Sequence, residues 1–144
     1  MNNYMICLDG STESDRAFAW IEGIALNDPS KQIKIFLLNI IDTKPIDKLN
    51  LDFDHDKKIC AEKGLSVYAN RLQLNNIKYE TILVETYHSM RETIIEQAEK
   101  HNIDMIILGH ASKNKLKRVI DGDLRGKIAT YLLKHANCPL IIFK

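Results

Sequence analysis

Two groups of residues in this 144-residue chain could do chemistry. The first is Gly109 with the cationic stretch behind it, Lys113, Lys115, Lys117, Arg118, Arg125 and Lys127. A glycine lets main-chain N–H groups close on an anion, and the cations add charge, so phosphate is the ligand such a stretch would take. The competing reading is a solvated basic loop, partly offset by Asp121 and Asp123. The second group is Asp9, which follows the apolar run Tyr4–Leu8 and precedes Gly10-Ser11. With His110 and Ser112 it could form an acid/base cluster or a Ser–His pair. Equally, Asp9 could cap the helix that follows.

Other chemistries are excluded by spacing. Gly122-x3-Gly126-Lys127-Ile128 is one residue too short for a P-loop, lacks the Ser or Thr that holds Mg²⁺, and follows a loop instead of a strand. No Gly-x-Gly-x-x-Gly or Gly-x-Ser-x-Gly occurs. Cys7, Cys60 and Cys138 lie far apart, and His55, His88 and His101 show no ligand spacing. The chain therefore offers no disulfide framework and no metal site, and it suits a reducing, cytoplasmic setting. Cys138 reads as a buried apolar residue, and His135 as a helix-end residue.

These candidates depend on strands that end where they begin. Tyr4–Leu8 reads as a buried strand closed by a turn. Ala17, Trp20, Ile21, Ile24 and Ala25 then mark one face of a helix with Ser11 or Thr12 at its cap, which places Trp20 in the core. Ile33–Ile41 is a second strand, and the polar stretch from Asp42 to about Asp56 a long loop containing Pro45. Ala61, Leu65, Tyr68 and Leu72 mark a second helix, and Ile77–Val84 alternates as a half-exposed edge strand does. Ser89-x-x-Glu92 is a capping box opening a third helix with Met90, Ile94, Ile95 and Ala98 inward. Met105–Leu108 is an apolar strand, Ile128, Leu132 and Ala136 the buried face of a last helix, and Pro139–Phe143 the final strand. Alternating strands and helices imply one α/β domain over residues 1–144, a parallel sheet with about four helices on its two faces. Ligands of such sheets sit beyond the carboxyl ends of the strands, where Asp9 and Gly109 stand.

The totals add bounds. A formal net charge of +1 gives no global pull toward nucleic acid. No apolar run approaches the ~20 residues of a membrane helix, and no signal peptide is evident after Met1.

The chain resembles the universal stress protein family along essentially its whole length. Leu8-Asp9-Gly10-Ser11 stands where the family has Val-Asp-Gly-Ser, and Leu37-Leu38-Asn39-Ile40 where it has Leu-Leu-His-Val. Leu108-Gly109, Leu116-Lys117-Arg118, Gly122-Asp123 and His135-Ala136-Asn137-Cys138-Pro139 follow in the family's order. The resemblance implies an open, doubly wound five-stranded sheet of order 3-2-1-4-5, as in adenine-nucleotide α-hydrolase-like folds. It also implies a homodimer paired through Leu140, Ile141, Ile142 and Phe143, in a protein that acts by binding instead of turnover.

Nucleotide-binding members carry Gly-x2-Gly-x9-Gly-Ser/Thr. The same spacing here gives Gly109, Ser112, Gly122 and Asp123. Ser112 brings a Cβ where the pattern has glycine, and Asp123 a carboxylate where it has a hydroxyl. Counted back from His135, the last pair falls instead on Gly126-Lys127, and Lys127 would then meet a phosphate. Both registers remain open. The resemblance also places Asp9 near a ribose or its metal, and the main chain of Ile40 against an adenine. ATP or another adenine nucleotide, with Mg²⁺, is thus the ligand it implies. The alternatives are a member that has lost the nucleotide and works through an unknown protein partner, and a phosphate-ester hydrolase using Asp9 and His110.

Overall fold

The computed structural model describes residues 2–43, 51–109 and 124–144, with side chains at all of these except 51–55 and 124–127. Its elements run β1 (Asn3–Cys7), α1 (Thr12–Leu26), β2 (Lys34–Asp42), α2 (Leu51–Leu74), β3 (Lys78–Thr86), α3 (Met90–Lys100), β4 (Met105–Gly109), α4 (Leu124–His135) and β5 (Leu140–Phe143). The strands form one parallel sheet of order β3-β2-β1-β4-β5, as expected. In that order the chain winds outward one way from β1 through β2 to β3, then crosses back to β4. Crevices open where the winding reverses, between the ends of β1 and β4.

Strand alternation splits the core in two. Ile6, Leu8, Ile35, Leu37 and Ile107 face α1 and α2, with Phe18, Ile21, Leu65 and Leu72. Met5, Phe36, Leu38, Ile106 and Leu108 face α3 and α4, with Ile94 and Leu132. Near-continuous apolar strands are what a sheet covered on both faces requires.

The helix starts follow their cap signals. Ser11 Oγ accepts the Ser14 N–H at 3.1 Å, so Ser11 caps α1 and Asp9 does not. Ser89 caps α3 and accepts from Glu92 N.

Two sequence expectations fail. The loop expected from Asp42 to about Asp56 gives way at both ends, because Asp42 closes β2 and α2 is already helical at Leu51. Residues 51–56 lack apolar periodicity, but they hold no Gly or Pro to block a helix. The buried stripe of α1 is also rotated from the expected one. Ala17, Phe18, Ile21, Glu22 and Ala25 are buried, whereas Trp20 is 37% and Ile24 41% exposed. Glu22 can turn inward because Arg71 of α2 meets its Oε1 at 2.5 Å. Trp20 instead lies against Phe143 of β5, ring centroids 5.6 Å apart.

Candidate functional site

At the carboxyl edge of the sheet, on the α3/α4 side, lies a cavity of about 340 Å³. Its base is the ends of three adjacent strands: Cys7, Leu8 and Asp9 from β1, Leu38, Asn39 and Ile40 from β2, Leu108 and Gly109 from β4. Met90 and Ile94 of α3 wall one side, Ile128 and Ala129 of α4 the other, and Ile142 of β5 closes it. The volume is that of a small-molecule pocket, and the wall is mostly apolar with few polar groups, as such pockets are.

Of the residues expected to act together, Asp9, Ile40 and Gly109 line this cavity. Asp9 and Gly109 share one rim, and Ile40 borders it. The β1–α1 turn explains how Asp9 is held. Its Oδ1 accepts the Ser11 N–H at 2.9 Å, and Gly10 takes φ +77°, a conformation that costs a side-chain-bearing residue. Asp9 is exposed at the edge of a mostly apolar pocket. Its charge is felt below it. Burial, and secondarily Asp9, push the Cys7 thiol up to about 12, so Cys7 is a neutral wall atom and no nucleophile.

The main chain of Ile40 faces the rim. Leu8 N–H donates to Leu38 O at 2.8 Å, so the even-numbered residues of β2 turn their backbone groups toward β1. The chain leaves the sheet at Asp9-Gly10, and the C=O of Ile40 therefore points at the rim where β1 no longer runs.

Gly109 has a structural duty as well. A Cβ there would stand 2.5 Å from Ser14 N and 2.8 Å from Ser14 Cα, in the backbone of α1. The end of β4 packs directly on the first turn of that helix, and only glycine fits. Its identity is thus demanded by packing, whatever its part in binding.

His110, Ser112, Gly122 and Asp123 lie outside the described residues, as do Lys113, Lys115, Lys117 and Arg118. Lys127 falls in the first turn of α4, its side chain likewise outside them. Among the described residues no cluster of three His, Cys, Asp or Glu side chains could hold a metal ion. Nor is any described helix long and apolar enough to cross a membrane.

Leu140, Ile141, Ile142 and Phe143 form an edge strand, each half-buried. Sequence reasoning missed that Ile142 also lines the cavity. Cys7, Met90, Ile94 and Ile128 were missed as well, since each reads as an ordinary core position. Their signal lay in position alone: each sits at a strand end or in the first turns of a helix.

The model of the universal stress protein family matches residues 1–144. A putative universal stress protein of Staphylococcus aureus (strain USA300) is 25% identical over 146 residues, covering 99% of this chain and 83% of that protein. Among solved structures, the universal stress protein UspA from Lactobacillus plantarum superposes with a TM-score of 0.73 at 23% identity, over 99% of this chain and 97% of the other. A universal stress protein family protein from Arabidopsis thaliana, solved with AMP bound, gives 0.67 at 17% identity, over 100% and 92%. A strand order of 3-2-1-4-5, a cavity at its reversal point and a family match over the full length agree: this chain belongs to the universal stress protein family.

Proposed function

We propose that the protein binds an adenine nucleotide in the cavity at the carboxyl edge, and that it works through the bound state instead of turnover. The observation that carries this reading is the cavity's make-up: a mostly apolar pocket with Asp9 alone among charged side chains on its described rim. A purine needs flat apolar walls, which Met90, Ile94 and Ile128 supply, and main-chain partners for its edge, which Ile40 supplies. A ribose needs an acceptor for its hydroxyls, the part given to Asp9. Phosphates would leave toward the chain after Gly109, with Ser112, Gly122, Asp123 and Lys127 as their candidate neighbours. The N-termini of α1 and α3 begin at this edge and favour negative charge there. AMP in the Arabidopsis relative supports the same ligand class. Mg²⁺, if it accompanies a triphosphate, would be held by phosphate oxygens and Asp9.

The same proposal includes a homodimer joined through β5. Its edge is entirely apolar, whereas the opposite edge strand, β3, carries Lys78, Glu80 and Glu85. Charged edges resist pairing and uncharged ones invite it.

Mass spectrometry of the supernatant from denatured protein tests the ligand, together with melting in millimolar AMP and ATP with Mg²⁺. A released nucleotide or a concentration-dependent rise in Tm supports binding. Neither would leave the second reading, an interaction protein without nucleotide. Gly109 favours that reading to one extent: packing alone accounts for its glycine. Phosphate release that Asp9→Ala abolishes would instead point to hydrolysis.

A further inference from the structure

The seam between α3 and α4 opens again at its other end. There, beside the start of β4, lies a groove of about 240 Å³. Its floor is apolar and almost closed to water: Ala98 is 7%, Ile103 8% and Ile106 0% exposed. Its rim carries Glu99, Asn137 and the Cys138 thiol.

The rim offers acceptors. Asn137 Nδ2 donates to Glu99 Oε1 at 3.2 Å, which keeps the amide oxygen of Asn137 for an outside donor. Both α3 and α4 end here, so the negative ends of two helix dipoles face the groove. Burial, and then the charge of Asp104, push the Cys138 thiol up, so the rim carries a neutral thiol. Lys100 stands two positions from Ala98 and so about 200° around α3 from it. An anion would meet Glu99 and both helix ends. A purely apolar ligand would leave the acceptors unmatched.

We propose that this groove is a second binding site, for a small amphiphilic amine whose alkyl stem lies on Ala98, Ile103 and Ile106 and whose ammonium meets Glu99 and Asn137. The site is independent of the nucleotide reading and shares no lining residue with that cavity.

Cys138 serves as the reporter and Cys60, exposed on α2, as the internal reference. The full-length protein is treated with neutral methyl methanethiosulfonate at mildly alkaline pH, with and without butylammonium, and both cysteines are quantified by peptide mass mapping. Butylammonium should slow Cys138 at least twofold and leave Cys60 unchanged, while butyrate should slow neither. A cationic aminoethyl reagent should label Cys138 faster than its anionic sulfonatoethyl counterpart, and Glu99→Gln should shrink that ratio about fivefold, the effect of one charge at a solvated rim. Equal protection by butyrate, or none by butylammonium at tens of millimolar, would overturn the site. So would a charge ratio that Glu99→Gln leaves unaltered.

Discussion

Gly109 shows how one residue can serve packing and still stand at the rim of a cavity. Its missing Cβ is the space that the first turn of α1 occupies. Gly109→Ala should therefore destabilise the fold by about 1–3 kcal/mol through overpacking, read by urea titration, even with no ligand present. If Gly109 served only a ligand, the stability would not change. Cys7 carries a second residue-scale expectation. Its thiol is pushed up to about 12 by burial and by Asp9, above the ordinary value of 9.0. The folded state thus holds this proton more tightly than the unfolded chain. Stability is full below the ordinary thiol value and falls as pH rises from there toward 12. In iodoacetamide at pH 8.5, Cys60 should be alkylated readily and Cys7 far more slowly, because its thiol stays neutral. Equal labelling of the two in native protein would refute the neutral thiol.

Among the elements, what the sequence revealed and what it concealed follow from the physics. Caps were legible: Ser11 and Ser89 are local signals, and each accepts the N–H three residues on. The two apolar central strands were legible because nothing but burial on both faces explains such runs. The rotation of α1 was not. Phe18 and Trp20 both qualify for the core by type, and the choice between them is made by α2, a partner distant in sequence. Arg71 pairs with Glu22 and lies over the Phe18 ring, 4.9 Å from its centroid, turning that side of the helix inward. Arg71→Ala should cost about 2 kcal/mol, less than the ~3–5 of a fully buried pair because Arg71 is half exposed. Adding Glu22→Leu should recover most of that loss, since the cost is that of a stranded carboxylate. A double variant no more stable than the single one, in the same denaturant titration, would show that the pair does not set the packing of α1. For the cavity, the rim residues Asp9, Ile40 and Gly109 were legible because strand ends are visible in sequence. The walls from α3, α4 and β5 were not, because they come together only when the sheet order is known.

The sheet has two unlike edges, and the proposed dimer joins two copies through one of them. Ile106 N–H donates to Pro139 O, so Pro139 and Ile141 serve the ladder to β4 and the N–H of Leu140 points away from it. Leu140→Pro removes that outward donor and spares the β4 ladder. It should convert dimer to monomer in sedimentation velocity with little loss of helix by circular dichroism; a dimer that persists would place the interface elsewhere. The cavity sits where the winding reverses, and Ile142 ties it to the same edge strand. Whether this cavity holds an adenine nucleotide is read out by titration of ¹⁵N-labelled protein with AMP and ATP. A nucleotide in the cavity should give saturable shifts at the amides of Asp9, Ile40, Ile94, Gly109 and Ile128, reduced by Asp9→Ala, with β3 unperturbed. An unchanged spectrum at millimolar nucleotide, or shifts confined to residues away from this rim, would contradict it.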